Sequence, residues 1–176
     1  MIPTLLKTSR LRLRLPSLDD AVEICGRYAT DPEVTRYMVW RPHSRLADTH
    51  AFLHRTIAAI EAGTEAQWVI ERQGLELPIG MIGFRLAGHA AELGYVLERP
   101  CWGRGYVTEA AKALVDWALG EPTIYRVWAV CDVEHRASAR VLEKMGMERE
   151  GLLRRSTVLP NLSAEPRDCW CYARVK

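Results

Sequence analysis

The amino-acid sequence predicts one α/β (α+β) domain over residues 1–176, a twisted, mixed and mostly antiparallel sheet of about seven strands with helices on both faces. Seven segments show the period-two alternation or the short apolar run of a strand. Segments with an apolar residue every three to four positions lie between them, as in amphipathic helices. Glycine, proline and N-capping residues separate these segments, and 176 residues is the length of one domain.

The predicted elements follow a regular order along the chain. Leu11, Leu13 and Leu15 alternate with arginines in a first strand that ends at Pro16. Further strands are predicted at residues 67–72, 79–86, 92–97, 126–131, 147–153 and 168–175, the second to fourth strands forming an antiparallel meander. Helices are predicted after the N-caps Ser17, Asp31 and Ser44, over the alanine-rich run 106–119, and in a segment that ends at Met145.

Composition and charge exclude several classes of protein. The formal net charge is only +2, and no Lys/Arg-rich run is interleaved with aromatic residues, so nucleic-acid binding is not indicated. Arg10, Arg12 and Arg14 alternate, which is typical of the solvated face of a strand. The sequence has no signal-peptide core and no apolar run long enough to span a bilayer, so we expect a cytoplasmic protein without membrane contact. The five cysteines show no metal-binding pattern, and no metal is expected.

A glycine-punctuated loop between a strand and a helix is the feature around which the chain is organised. Gly103 and Gly105 leave backbone N–H groups uncovered, and the helix that follows adds unpaired N–H groups and the positive end of its dipole. A pyrophosphate fits such a site. The alternative is a strand-to-helix turn that only needs two glycines. Thr108 stands where a dinucleotide-binding loop has its third glycine, so that fold is disfavoured.

The segment 102–110 (WGRGYVTEA) resembles the coenzyme A pyrophosphate loop of the GNAT superfamily of N-acyltransferases, in particular of its RimJ/RimL-like branch. The resemblance extends in the same order to segments 10–14, 79–84, 91–95 and 137–146, and so covers nearly the whole chain. The chain departs from the superfamily pattern at Pro100, where Gln or Arg is usual. It departs again at Leu142, where many members have a tyrosine, and at His135, where the branch has asparagine.

The resemblance implies that two strands splay apart and that the pantetheine arm of acetyl-coenzyme A (acetyl-CoA), the expected cosubstrate, enters the gap. Main-chain groups of residues 95–97 would then face the thioester, and a backbone N–H there would stabilise the oxyanion. Histidine at position 135 keeps one hydrogen-bond donor and one acceptor, and it adds a group that titrates near neutral pH. Carried over residue by residue, coenzyme A binding falls on Tyr95, Val96, Leu97, Trp102, Gly103, Arg104, Gly105, Tyr106, Val107, Thr108, His135 and Ser138.

Acyl transfer to an amine needs a base that removes a proton from the ammonium group, because its pKa is about 10.4. Glu92 is the first candidate, and we expect burial against Trp68 or Trp102 to raise its pKa. Asp168 and Glu150 are weaker alternatives. The branch places a serine near the departing sulfur, and Ser138 occupies that position here. The alternative roles are a solvated strand-end carboxylate for Glu92 and a helix-terminal hydroxyl for Ser138.

The acceptor is expected to be a primary amine, either the N-terminus of a protein or a small molecule, attacked directly in a ternary complex. In the superfamily the first third of the chain closes over the acceptor, which makes Tyr37 and Trp40, together with Glu92 and Asp168, candidates for acceptor contact. Trp170 and Tyr172 on the last strand suggest an apolar edge for a homodimer. Two other hypotheses are a catalytically weak acyl-CoA-binding regulatory module and a transferase for a longer or acidic acyl group.

Overall fold

One mixed sheet of eight strands forms the centre of the computed structural model, which describes residues 2–176. The strand order is β1-β2-β3-β4-β5-β6-β8-β7. The strands are β1 Leu5–Lys7, β2 Leu11–Arg14, β3 Glu65–Arg72, β4 Pro78–Ala87, β5 Ala90–Leu97, β6 Arg126–Asp132, β7 Glu148–Thr157 and β8 Arg167–Val175. The sheet thus has one strand more than predicted, because the three-residue β1 is too short to show a period.

Five α-helices connect the strands within the described residues. They are α1 Ala21–Ile24, which continues as a π-helical turn over Cys25–Ala29, α2 Pro32–Thr35, α3 Leu46–Glu61, α4 Tyr106–Gly120 and α5 Arg136–Lys144. Single 3₁₀ turns cover Leu18–Asp20 and Arg99–Cys101. The predicted cap at Asp31 is confirmed, because its carboxylate accepts the Glu33 N–H at 2.8 Å and Pro32 fills the first helical position.

The helices pack on both faces of the sheet, as predicted. On one face α4 and α5 cover a large core that includes Leu93 and Tyr95 of β5, and on the other face α1 and α3 cover a smaller core that includes Val96. Alternation along β5 therefore places Leu93 and Tyr95 on the α4 and α5 face and Glu92 and Gly94 on the opposite face. Residues next to each other in this strand serve different faces.

The splay implied by the resemblance lies between β5 and β6, which are the only two parallel neighbours among the described strands. They pair only at Ala90 with Arg126, Ala91 with Val127 and Glu92 with Trp128. The remaining pairs that join β1 to β5, and β6 to β8 and β7, are antiparallel. Beyond Glu92 the two strands separate, and the sheet opens.

One expectation about surface residues is wrong, and another needs an addition. The last strand in sequence, β8, lies between β6 and β7, so Tyr172 is buried in the core and Trp170 lies beneath the guanidinium of Arg149. These two residues offer no apolar edge for a dimer. The alternating arginines lie on the more exposed side, opposite the buried Leu11 and Leu13, as predicted, but Arg14 is also engaged in ion pairs. Arg14 donates to both Asp20 and Glu71, at 2.5 and 2.7 Å, and these two carboxylates are themselves buried.

Candidate active site

A cavity of about 220 Å³ occupies the opening between β5 and β6. Its walls come from both sides of the sheet, because the separated strands join the two faces at this point. The segment between α2 and α3, the turn before α5 and the loop that joins β7 to β8 complete the walls. Chemically useful side chains among the lining residues are those of Tyr37, Glu92, Tyr95, Cys131, His135 and Ser138.

A short hydrogen bond between Tyr95 and Ser138 lies on the α4 and α5 side of the cavity. The Tyr95 hydroxyl and Ser138 Oγ are 2.6 Å apart, and Ser138 is buried in the first turn of α5. Burial raises the pKa of Tyr95 above its ordinary value, so the phenol keeps its proton. The thiol of Cys131 faces the same space, and burial raises its pKa to about 11, so this cysteine is a poor nucleophile at neutral pH.

His135 forms the outer wall of the cavity by stacking on Tyr37. The ring centroids are 4.0 Å apart and the planes differ by 10°, which joins the segment after α2 to the N-terminus of α5. Burial lowers the pKa of His135, although the carboxylate of Asp132 opposes this shift. The imidazole is therefore neutral at pH 7, and the pH-dependent step that histidine suggests at this position would fall below neutral pH.

Asp132 and Arg167 fix the turn that leads into α5. Asp132 Oδ2 lies 2.5 Å from Arg167 Nε, and Asp132 Oδ1 accepts the N–H of Glu134 at 2.9 Å. Burial alone would raise the pKa of Asp132, but the hydrogen bonds from Arg167 and Glu134 outweigh it and lower this pKa. A permanent carboxylate thus holds the turn, and through it the positions of His135 and Ser138.

The predicted anion-binding loop has the backbone that its glycines suggest. Gly103 and Gly105 have φ angles of 73° and 78°, in the left-handed region that favours glycine. Gly105 is the N-cap of α4, and a helix of 15 residues starts at Tyr106, as predicted. Trp102 and Arg104 are exposed beside the loop, whereas the side chains of Tyr106 and Val107 are buried in the core. Only the backbone of those two residues is therefore accessible at the loop.

Glu109 in the first turn of α4 anchors the loop to the turn between β1 and β2. Its Oε1 accepts bonds from the Thr8 hydroxyl at 2.5 Å and the Arg10 N–H at 2.9 Å, and Oε2 accepts Arg10 Nε at 2.6 Å. Arg10 also donates to the carbonyl oxygen of Arg104 at 3.0 Å and lies over the ring of Tyr106. Arg10 is exposed, as predicted, and it is also part of the support of the loop.

We predict that Glu109→Gln destabilises the protein in a pH-dependent way. Burial by itself raises the pKa of Glu109, but the bonds from Thr8 and Arg10 dominate and lower it from 4.5 to about 2. The carboxylate therefore stabilises the fold above pH 4.5, and this contribution is lost as the pH falls toward 2. We expect a loss of roughly 2–3 kcal/mol at pH 7. The measurement is denaturant unfolding of both proteins from pH 7 to pH 3.

The difference between wild type and Glu109→Gln should shrink as the pH falls below about 4.5. A matched control is Glu76→Gln, because Glu76 is exposed and its carboxylate makes a solvent-exposed ion pair with Arg12 at 3.4 Å, of the kind that contributes little to stability. A difference between wild type and Glu109→Gln that stays constant with pH would contradict the assignment.

The main chain of residues 95–97, at the end of β5, was expected to face the thioester, and at Leu97 the structure differs from this expectation. The indole Nε1 of Trp102 donates to the carbonyl oxygen of Leu97 at 2.8 Å, so this carbonyl is already engaged. Leu97 is also paired with Gly80 of β4. The free edge of β5 that faces the opening is therefore most useful nearer Leu93 and Tyr95, where β6 has separated and the cavity lies.

Glu92 lines the cavity, but its surroundings are not those predicted. Its Oε2 accepts a bond from Arg85 Nη1 at 3.0 Å, across the β4–β5 pair. Trp68 lies on the opposite face of the sheet, where its ring meets that of Trp117, and Trp102 lies at the end of β5. The expected burial against Trp68 or Trp102 is wrong, and the neighbour of the Glu92 carboxylate is a guanidinium.

The other predicted acceptor residues divide into two groups. Tyr37 lines the cavity, whereas Trp40 packs against the smaller core and near the ring of His43. Asp168 is not brought to the cavity, because it lies at the start of β8 and its carboxylate accepts the Arg155 N–H at 2.8 Å. Glu150, the other alternative base, lies on β7 and is ion-paired with Arg126 of β6.

Sequence reasoning missed three contributors to this site. For Tyr95, the sequence interpretation used only the main chain and missed the hydroxyl. The signal that could have found it is the alternation of Leu93 and Tyr95 along β5, which places the Tyr95 side chain on the same face as α5. Glu109 and Arg10 are 99 positions apart, and no local pattern connects them.

Residues 2–176 contain no cluster of three or more His, Cys, Asp or Glu side chains that could hold a metal, and no helix among them is long and apolar enough to cross a membrane.

Comparison with known proteins decides the family. Residues 10–148 match the model of the acetyltransferase (GNAT) domain. The chain belongs to the GNAT acetyltransferase family. It is 32% identical to the N-acetyltransferase p20 of Bacillus licheniformis over 152 residues. This alignment covers 85% of each of the two chains. As a GNAT acetyltransferase, the protein uses acetyl-CoA, and the loop at Gly103 and Gly105 and the opening between β5 and β6 suit its pyrophosphate and its pantetheine arm.

Two solved structures have the same fold as this chain. Microcin C7 self-immunity acetyltransferase MccE, in complex with acetyl-CoA and AMP, superposes with a TM-score of 0.89 and 22% identity over 99% of this chain and 97% of its own. RimL, the ribosomal L7/L12 α-N-protein acetyltransferase, in complex with coenzyme A, gives a TM-score of 0.85 and 20% identity over the same shares. At these identities the two structures establish that this GNAT chain has the same fold.

Proposed function

We propose that the protein transfers the acetyl group of acetyl-CoA to a primary amine by direct attack in a ternary complex. The observation that carries this proposal is the Tyr95–Ser138 hydrogen bond on one side of the strand opening, with Glu92 on the other side. A proton donor and a proton acceptor thus face the same cavity from opposite faces of the sheet. This separation suits a reaction in which a thiolate leaves on one side and an ammonium loses its proton on the other.

Ser138 is the proposed proton donor to the departing thiolate. Its Oγ is buried and lines the cavity, and the Tyr95 phenol behind it keeps its proton. The free thiol of a departing coenzyme A has a pKa of roughly 8.5, so a hydrogen bond from a serine hydroxyl meets a modest demand. Tyr95 then supplies, from a strand, the phenol that other superfamily members place where this chain has Leu142.

Glu92 is the proposed base on the acceptor side. Its ion pair with Arg85 leaves Oε1 without a protein partner, and this oxygen can accept a proton from the amine directly or through water. Arg85 fixes the direction of the carboxylate. Glu65, the neighbour of Arg85 on β3, adds a second negative charge to the same row of the sheet. A cationic amine is the acceptor that this row favours.

We predict that Glu92→Gln lowers kcat by about tenfold to hundredfold at pH 7 with little change in the KM for acetyl-CoA. The ratio of wild-type to variant kcat should decrease as the pH approaches about 10, because the amine then needs no base. The measurement is a pH–rate profile with one amine. Glu65→Gln is the matched comparison, because Glu65 lines the same cavity but contacts Gln67, so its loss should change the KM for the amine and leave the pH dependence of kcat as in the wild type. A ratio that is constant with pH would contradict the role of Glu92 as base.

For the acceptor we propose two classes of primary amine, the N-terminus of a protein and a small molecule. RimL is an α-N-protein acetyltransferase of ribosomal L7/L12 and MccE is a microcin C7 self-immunity acetyltransferase, so we keep both a protein N-terminus and a small molecule as acceptors. The cavity of about 220 Å³ holds one amine-bearing group of either class of acceptor. All five cysteines are free thiols, as is usual in the reducing cytoplasm, where we place the reaction.

The alternative is an acyl-CoA-binding regulatory module, which Pro100, His135 and Leu142 motivate. Calorimetric titration with acetyl-CoA and with desulfo-coenzyme A, followed by a thiol-release screen over N-terminal peptides and small amines, separates the two. Binding with thiol release on any amine supports the transferase and gives its acceptor class. Binding without release on any amine would favour the regulatory module, and absence of binding would refute both.

A further inference from the structure

A four-residue wall, residues 36–39, closes the acceptor side of the cavity. Three of its members, Tyr37, Met38 and Val39, line the cavity, and Tyr37 also stacks on His135. The wall belongs to no helix or strand and lies between α2 and α3. Because it has no regular hydrogen-bond ladder, its position depends on contacts with other parts of the chain.

One side-chain amide holds both ends of this wall. Asn161 Nδ2 donates to the carbonyl oxygen of Thr35 at 2.7 Å and to that of Trp40 at 2.8 Å. These two residues flank the wall directly. Both partners are carbonyl oxygens, so only the NH₂ group of the amide can face them, and its two hydrogens are both used. The Thr35 carbonyl also accepts the N–H of Met38, inside the wall, at 2.8 Å.

Asn161 itself is fixed by the loop that joins β7 to β8. The N–H groups of Leu162 and Ser163 both donate to the carbonyl oxygen of Leu159, which makes a helical turn around Asn161. Leu159 is buried and lines the same cavity. Asn161 is thus the link between two segments, more than 120 positions apart in sequence, that form adjoining walls of the acceptor side.

We propose that Asn161 is a positioning residue that fixes the wall 36–39 and thereby determines which amine acceptors the enzyme selects. This inference rests on the proposed acetyl transfer at the same cavity. The anion-binding loop at Gly103 and Gly105 is held by Arg10 and Glu109 and does not involve Asn161. Loss of the amide should therefore affect acceptor binding and leave acetyl-CoA binding unchanged.

The test uses Asn161→Asp, which keeps the shape of the side chain but turns a carboxylate toward the two carbonyl oxygens, and Asn161→Ala, which only removes the bonds. We expect hydrogen exchange to accelerate about tenfold or more in the wall and its flanks, residues 35–43, in both variants. With the most active amine of the thiol-release screen, the KM for that amine should rise about tenfold, while the Kd for acetyl-CoA stays within about twofold. The rank order of amines in the screen should also change.

Ser163→Ala is the matched control, because Ser163 lies in the same turn and its hydroxyl only accepts the N–H of Glu165. Unchanged hydrogen exchange at residues 35–43 in both Asn161 variants would overturn the proposal that Asn161 fixes the wall, and this measurement does not require turnover. A uniform loss of stability, with the KM values for amine and acetyl-CoA rising together, would overturn the specific role in acceptor selection. If the wild type acetylates no amine, the proposed function is refuted, and the role of Asn161 in acceptor selection is refuted with it. Hydrogen exchange would still show, independently, whether Asn161 fixes the wall.

Discussion

Replacing Ser138 with alanine should lower kcat by about 10²–10³, the usual contribution of a positioned proton donor, with little change in the KM for acetyl-CoA. The physical reason is that the departing thiolate would lose the buried hydroxyl nearest to it. The Tyr95 phenol, 2.6 Å from Ser138 Oγ in the wild type, would then lie in the cavity without its partner. Steady-state kinetics by thiol release measures both parameters.

Tyr95→Phe and the double variant test whether the two hydroxyls act as one unit. If Tyr95 only supports Ser138, we expect Tyr95→Phe to lower kcat by about tenfold and to add little to Ser138→Ala in the double variant. Calorimetry with acetyl-CoA on each variant controls for loss of binding. A change of less than about threefold in kcat for Ser138→Ala would contradict its role as proton donor.

The second large effect concerns two glycines that face each other on β4 and β5. Gly83 and Gly94 are partners in the register, yet their surroundings differ. A Cβ on Gly83 would lie 2.2 Å from the carbonyl oxygen of Ala66 and 2.7 Å from the Cα of Gln67, and both contacts are backbone. A Cβ on Gly94 would meet no atom within 4 Å.

We therefore expect Gly83→Ala to destabilise the protein by about 3 kcal/mol, because β3 and β4 would have to move apart. A loss of this size corresponds to a Tm lower by roughly 6–12 °C for a chain of this length. Gly94→Ala should leave Tm nearly unchanged but lower kcat/KM by about tenfold or more, because its methyl group projects into the cavity beside Glu92. Thermal unfolding and kinetics of both variants make the comparison.

An equal decrease in Tm in the two variants would contradict the inference that Gly83 is tightly packed and Gly94 is not. An unchanged kcat/KM in a stable Gly94→Ala protein would show that the acceptor does not pass this part of β5. Each glycine thus controls for the other, since the same methyl group is added to the same strand pair in both.

Local pattern was sufficient wherever one segment carries its own signal. The left-handed backbone of the loop followed from Gly103 and Gly105, and the next helix was expected to begin near Tyr106, where α4 starts. Ser138 was placed by its motif and does line the cavity. The predictions that failed concern partners from distant segments, as for Glu92, whose neighbour is Arg85 and not a tryptophan.

The sequence by itself determined the fold class and the glycine-punctuated loop, because periodicity, glycine conformation and helix capping act within a few residues, and the resemblance to the family singled out Ser138. Only the tertiary structure decided that Tyr95 meets Ser138, that Glu109 binds Arg10 and that Asn161 clamps the wall between Thr35 and Trp40. These contacts join residues 43 to 126 positions apart. Their geometry depends on strand order and on the separation of β5 from β6, which the packing of the whole chain sets.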